Sequence, residues 1–416
     1  MTFSRFGNKF TRPNGITQLM DDLGKANSVY NPNMVMLGGG NPAIIPESNT
    51  VFINELQQLI NSADVDNMVG LYDGPQGFDA FREALANMLN EHFAWGLDAD
   101  NIALSNGSQS NFFSLFNLLA GEMDDGSQQK ILFPLAPEYV GYADQGLSEN
   151  MFVSIKPSIQ HLENNQFKYE IDFDALKLTL ASEQKFGAIC VSRPTNPTGN
   201  VITDAELKTL DELAQHYGIP LIVDNAYGHP FPGAIYTDAT LSWNANTILC
   251  MSLSKLGLPG LRTGIVVANK NIISAISRIN GIMILAPNSV GPTLMTRLIN
   301  NKELLPLCEN IIKPYYQQKA KTAVALFDEI FADLPVYLHK LEGAFFMWLW
   351  FKDMRFTSEE LYEKLKEEEV YIIPGHNFFI GIDDGWQHKH ECIRINYAKD
   401  EDTLRKGLEA IKRIVG

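Results

Sequence analysis

At 416 residues the chain is long for a single core, and two domains are the default for that length. Its 45% hydrophobic and 20% charged residues are an ordinary balance for a soluble globular protein. A formal net charge of -16 argues against nucleic acid or an anionic membrane as the main partner, since both recruit basic surfaces. Cys190, Cys250, Cys308 and Cys392 form no CxxC pair, so neither a zinc site nor a disulfide framework is indicated. The first residues lack the apolar core of a signal peptide, and no apolar run approaches membrane-spanning length. A cytoplasmic protein, away from the membrane, is expected.

The first fifty residues are rich in Asn, Gly and Pro, and Met34-Val-Met-Leu-Gly-Gly-Gly-Asn-Pro42 reads as a short strand running into a glycine turn. Phe78, Phe81, Leu85, Met88, Leu89 and Phe93 share one helical face, which predicts a helix over about 77–93. Strands and helices then alternate: a strand at 102–105, a helix at 110–120, a strand at 130–133 and a helix near 139–147. Further strands are predicted at 151–155, 187–191, 220–223, 247–251 and 264–268, and Thr203-x-x-Glu206 looks like a capping box opening a helix to about Tyr217. This alternation predicts an α/β protein with a mostly parallel sheet covered by helices. From about 301 a long helical pattern to about 331 leads to strands at 336–340 and 345–351. A helix opened by Thr357-x-x-Glu360, strands at Tyr371 and 392–396, and a final helix complete a smaller α+β segment. The expected division is 1–50 packing with the small domain, 51–300 as the large domain and 301–416 as the small one.

Four motifs sit at predicted strand ends, where open α/β sheets bind ligands. Asn106-Gly107-Ser108-Gln109 lies between a strand and a helix, where free N–H groups and the helix dipole suit a phosphate. A plain glycine turn with Ser108 as cap would look the same. Arg193-Pro-Thr-Asn196-Pro197-Thr-Gly199 holds an asparagine between turn-formers, so its amide can be aimed at a ligand oxygen. Asp224-Asn-Ala-Tyr227 offers a carboxylate for a ring nitrogen and a phenol for a ring oxygen. A helix cap beside a packed tyrosine is the plainer reading. Ser252-Leu-Ser254-Lys255, with Gly260-Leu-Arg262, surrounds a lysine with hydroxyls, glycines and an arginine. Such groups hold a phosphate near the backbone while the lysine meets a carbonyl carbon.

In this order and spacing the four motifs resemble the fold-type I, pyridoxal-phosphate-dependent aminotransferases, over nearly the whole chain. Thr2-Phe-Ser, Gly38-Gly-Gly-Asn-Pro42, Tyr72-Asp-Gly-Pro-Gln-Gly77, Ala136-Pro-Glu-Tyr139 and Pro374-Gly-His-Asn-Phe-Phe379 carry a closer match within that family. The resemblance implies pyridoxal 5'-phosphate as cofactor, joined to Lys255 as a Schiff base. Asp224 would pair with the ring nitrogen, and Asn196 and Tyr227 would bond the ring's phenolic oxygen. Gly107, Ser108, Gln109, Ser252 and Arg262 would hold the phosphate, with Ser254 close to it, and Tyr139 would lie over the ring. Tyr72 would reach the phosphate of a partner subunit, which implies a homodimer with shared sites. Arg394, in the strand Cys392-Ile-Arg-Ile-Asn396, would bind the substrate α-carboxylate, with Gly39 and Gly40 closing over it. Many relatives carry an acid where this chain has Asn225.

Arg394 also carries an argument of its own: a charge in an apolar strand is costly unless paired. A carboxylate from outside explains it, and an internal Asp or Glu is the competing partner. His376, His388 and His390 gather around Trp386, but His-x-His without a neighbouring acid pair is a weak metal signal, so ordinary loop histidines and no metal are expected. No second arginine stands in a motif that would take a distal carboxylate, so a small apolar amino acid and a 2-oxo acid are the expected substrates. A lyase or decarboxylase on the same scaffold is one alternative. A cofactor-binding regulatory domain is another, disfavoured by the acidic charge.

Overall fold

The computed structural model describes residues 2–11, 24, 34–382 and 384–416. Along the chain, β1 (Val35–Met36) is followed by β2 (Ile102–Ser105), β3 (Gly121–Glu122), β4 (Gln128–Phe133) and β5 (Phe152–Ser154). A hairpin, β6 (Ser158–His161) and β7 (Gln166–Glu170), precedes β8 (Lys185–Ser192), β9 (Leu221–Asp224), β10 (Thr247–Ser252) and β11 (Gly264–Val267). The last part carries β12 (Val336–His339), β13 (Phe346–Phe351), β14 (Val370–Tyr371), β15 (Ile373–Pro374) and β16 (Cys392–Asn396).

The larger sheet runs β2-β11-β10-β9-β8-β4-β3, with β5 beside β4. Strands β5, β4, β8, β9 and β10 pair in parallel, while β11 is antiparallel to both neighbours. The segment between β10 and β11 is too short for a crossover, so the chain must turn back beside β10. The continuous apolar runs follow from burial on both faces. Along β10, Leu249 and Met251 enter one core with Val223 and Ile265, while Ile248 and Cys250 enter the other with Ile222 and Val266. Helix Ser108–Leu119 covers the second face with Phe112, Leu115 and Phe116. On the first face lie Phe81, Leu85 and Leu89 of helix Asp79–Phe93 and Leu207, Leu210 and Ala214 of helix Asp204–His216. Each fully buried Leu, Ile or Val stabilises this arrangement by about 1.5–3 kcal/mol. Thr203 and Glu206 form the predicted capping box, as do Thr357 and Glu360.

The smaller sheet runs β15-β16-β13-β12-β7-β6. Its hairpin β6–β7 comes from within 51–300, so this sheet takes in chain from well before residue 301. Alternation in Gln166–Glu170, with only Phe167 and Tyr169 buried, is the strand signal that a search for apolar runs passes over. Strand β1 pairs in parallel with β14, and Asn396 N–H donates to Leu37 O at 2.8 Å, which brings Gly38–Gly40 against the end of β16. Part of the 1–50 segment lies outside the described residues.

The predicted helix near 139–147 is not formed: only a single 3₁₀ turn, Val140–Tyr142, appears there. Glycines at 141 and 146 weaken any helix. Side chains also take the backbone groups, with Gln109 Nε2 and Gln145 Nε2 on Gly141 O and Asn117 on Gln145 O and Leu147 N–H. Helices Pro46–Ile60, Lys270–Met283 and Val290–Asn300 were not among the predicted elements. The pattern from 301 resolves into Leu304–Leu307, a π turn at Cys308–Ile312 and Lys313–Ile330. All four cysteines are buried and free.

Candidate active site

Parallel pairing sets Asp224 level with both Ser192 of β8 and Cys250 of β10. Lys255 follows the end of β10 by three residues, so strand register alone draws the motifs to one crevice. A cavity of about 270 Å³ opens there, lined by Gly40, Ser108, Gln109, Tyr139, Asn196, Asp224, Tyr227, Ser252, Ser254, Lys255, Arg262 and Arg394 among others. Gly39 stands between the lining residues Gly38 and Gly40, its carbonyl accepting from Asn396 Nδ2 at 2.7 Å. Gly107 is the N-cap of helix Ser108–Leu119 at φ 101°, and a Cβ there would run into the Arg262 guanidinium. Tyr72 is the one predicted residue held apart, with 83% of its surface exposed.

Lys255 Nζ donates to Gly40 O at 2.8 Å and lies 5.4 Å from the centre of the Tyr227 ring. Burial, reinforced by Arg394 and Arg262 and opposed by Asp224, lowers its pKa to about 8. Asp224 accepts from Ala226 N–H at 3.0 Å and from the Tyr142 hydroxyl at 2.5 Å, while burial raises its carboxyl above the usual range. Arg394 donates to Asn196 Oδ1 at 2.8 Å and Gly38 O at 2.7 Å, and its guanidinium stacks 4.3 Å from the Phe346 ring centre. Burial lowers its pKa to about 10. The internal Asp or Glu weighed from sequence is not found among the described residues, none of which pairs a carboxylate with it. Its Nε is buried without a hydrogen-bond partner, as is the Tyr227 hydroxyl. Buried polar groups left single in this way call for a ligand.

The opposite wall suits a phosphate ester. Helix Ser108–Leu119 starts without a side-chain cap, so the N–H groups of Ser108 and Gln109 at its start are available beside Ser252, Ser254 and Arg262. Arg262 adopts a left-handed backbone at φ 42°, and its carbonyl accepts from Asn288 Nδ2 at 2.7 Å. Gly264 lets this cradle close: a Cβ there would stand 2.5 Å from Gly107 C and 2.7 Å from Ser108 N. A cationic and N–H-lined end, an acid facing across the cavity, an amine between them and an unpaired phenol together fit pyridoxal phosphate.

Sequence reasoning missed several contributors. Tyr142 bonds Asp224, Glu138 and Ser192 lie behind it, and Asn396 Nδ2 holds the glycine turn through Gly39 O and Asn41 O. Asn396 ends the Arg394 strand and could have been noticed there, since a fully buried amide needs partners. The histidines separate in role. His388 is buried, its Nε2 on the Tyr169 hydroxyl at 2.5 Å, whereas His376 and His390 stack near Glu359 at 3.1 and 3.5 Å. Glu359, from helix Ser358–Glu367, is the acid neighbour that the local sequence did not reveal.

A parallel-sheet crevice with a half-buried lysine, a buried aspartate and a buried guanidinium that no described carboxylate pairs defines a pyridoxal-phosphate-dependent transaminase of fold type I. Residues 33–411 match the family model for aminotransferase class I and II. The chain belongs to that family. It is 51% identical to the valine–pyruvate aminotransferase of Escherichia coli (strain K12) over 411 residues, 99% of this chain and 97% of that protein. The crystal structure of valine–pyruvate aminotransferase from Salmonella typhimurium LT2 superposes with a TM-score of 0.88 at 48% identity, covering 96% of this chain and 98% of that one. A putative amino-acid aminotransferase from Psychrobacter arcticum 273-4 gives 0.97 at 47% identity, covering 100% and 98%.

Proposed function

We propose that this enzyme exchanges the amino group of L-valine with the oxo group of pyruvate, giving 3-methyl-2-oxobutanoate and L-alanine. The observation that carries an amino-acid substrate is Arg394, a buried guanidinium that no carboxylate among the described residues pairs, facing the same cavity as Lys255. Its planar fork binds an α-carboxylate through two parallel hydrogen bonds and so fixes the substrate's orientation. Val140, Ile373 and the rings of Tyr139 and Tyr227 leave an apolar lining for a small side chain. Similarity to the two valine–pyruvate enzymes supports the choice of valine and pyruvate.

Bound pyridoxal phosphate supplies the carbonyl that takes up the amino group and the ring that accepts the electron pair from Cα. With that group bound, Lys255 Nζ, with its lowered pKa, would serve as the base for the Cα proton. Asp224 would hold a proton on the ring nitrogen, Asn196 and Tyr227 would hold the ring oxygen, and Tyr139 would cover the ring. Gly107, Ser108, Gln109, Ser252, Ser254 and Arg262 would keep the phosphate, while Gly39 and Gly40 would shield the carboxylate from water. Two chains share each site through Tyr72, and the enzyme works on small metabolites in the cytoplasm.

A panel of amino donors with pyruvate, read as kcat/KM, tests the substrate assignment, and valine should lead with alanine and 2-aminobutyrate close behind. With L-valine alone, oxo acid should stop at one equivalent per site. Continued turnover would mark a lyase or decarboxylase instead. Arg394→Ala should lower kcat/KM about 30-fold or more, the cost of leaving a buried charge-pair partner single.

A further inference from the structure

We propose that Glu138 is held as a neutral carboxylic acid and is the first donor of a buried chain, Glu138–Ser192–Tyr142–Asp224, that positions Tyr142 and keeps the Asp224 carboxylate charged. The inference rests on the reading above, in which Asp224 faces a ring nitrogen.

Glu138 is 1% exposed, and both of its oxygens meet Ser192. Oε1 accepts from the Ser192 N–H at 2.9 Å, and Oε2 lies 2.5 Å from Ser192 Oγ. Ser192 Oγ is in turn 3.5 Å from the Tyr142 hydroxyl, which donates to Asp224 Oδ2. Counting hydrogens decides the direction of this chain. A Glu138 carboxylate could only accept, so it would claim the single proton of Ser192 and leave Tyr142 Oη without a donor. A neutral Glu138 gives its own proton to Ser192 Oγ. The Ser192 proton is then free for Tyr142, and every member before Asp224 both gives and receives. Hydrogen bonds running one way polarise one another and reinforce the last acceptor.

Charge points the same way. Asp224 is the charge that bears on Glu138 itself, and Tyr142, Cys190 and Cys250 lie around the pair. The cation Lys255 acts on Asp224, Arg394 and Arg262 act on Tyr139, and among the described residues no lysine or arginine pairs with Glu138. Two unpaired negative charges in one dry network would repel. Asp224 is the acid equipped to stay ionised, with two hydrogen-bond donors and the nearby Lys255. Burial, aided by Asp224, raises Glu138 to about 8. Tyr142 cannot turn aside, because its ring packs 4.7 Å from that of Phe112 and stacks 5.6 Å from that of Phe133.

Glu138→Gln preserves both contacts, since the amide oxygen accepts and its NH₂ donates. Difference infrared spectra of the cofactor-free full chain, wild type minus E138Q at neutral pH, should contain the carbonyl stretch of a protonated carboxylic acid. The Ser192→Ala variant should shift that band. Finding carboxylate stretches in its place overturns the proposal, whether or not cofactor binds. In the holoenzyme, E138Q should keep kcat within about threefold, the range of a tolerated change. Glu138→Ala and S192A should each lower kcat by about tenfold or more with little change in KM, and together cost little more than either alone. A fall in E138Q equal to that in E138A also overturns it. Borohydride labelling of Lys255 tests the underlying reading separately: its failure removes the role toward the ring and leaves the infrared result standing.

Discussion

Lys255 and Asp224 were legible because each closes an apolar strand within a string of small and polar residues. Tyr142 was not. It sits where a helix was expected, and its link to Asp224 arises only when the turn after Tyr139 meets the end of β9. Glu138 was quoted within Ala136-Pro-Glu-Tyr139 for its likeness alone, because nothing local tells a buried acid from an exposed one. The lowered pKa of Lys255 has a direct readout. In the cofactor-free enzyme its amine should react with an amine-selective reagent at a rate that rises with pH and is half-maximal near 8. An ordinary lysine, near 10.5, would still be almost wholly protonated there. Bound cofactor should abolish the reaction.

Among elements, β2 was read with the bounds it has, and β10 and β8 to within two residues at each end, because two-sided burial leaves an unbroken apolar run. The polar hairpin β6–β7 escaped because only alternate residues of β7 are buried. Gly264 shows how an element's first residue shapes the site: Gly264→Ala would press β11 against Gly107 and Ser108. Overpacking of this kind costs about 1–3 kcal/mol, so cofactor affinity should fall roughly 5- to 150-fold in a spectral titration. The smaller sheet carries a pH signature. His339 and His388 are buried, and burial lowers their pKa values to about 4 and about 3. The unfolded chain therefore binds more protons than the folded one between these values and about 6.5, and stability is lost as pH falls through that window. The unfolding free energy from urea titrations should drop between pH 6.5 and 4.5, by up to about 1.4 kcal/mol per histidine per pH unit, and His388→Gln should flatten the slope.

At the scale of the whole molecule, the expected parallel sheet is present. The charge of -16 fits small-molecule partners, and no helix among the described residues is long and apolar enough to cross a membrane. What one chain could not display is the surface around Tyr72. Val69, Leu71, Tyr72, Ile282 and Leu285 are all more than half exposed, and Gly281 lies beside Pro75, so the two apolar segments are neighbours. A patch of this kind suits the proposed contact between two chains. Light scattering should give twice the chain mass of 46.5 kDa, and Tyr72→Phe should weaken phosphate retention without dissociating the pair. A monomer with full activity would contradict the shared site.

Strand β7 finds its parallel neighbour β12 only after the whole of β8 to β11 has intervened, with Gln166 opposite Leu338 and Phe167 opposite His339. During synthesis, at about 5–20 residues per second, β6 and β7 therefore emerge many seconds before that neighbour exists. For that interval β7 carries an open backbone edge, the feature that invites a nascent chain to pair with the wrong strand. The same crossing stitches early and late parts of the polypeptide into one sheet, so no single cut could release the smaller sheet as a free-standing unit.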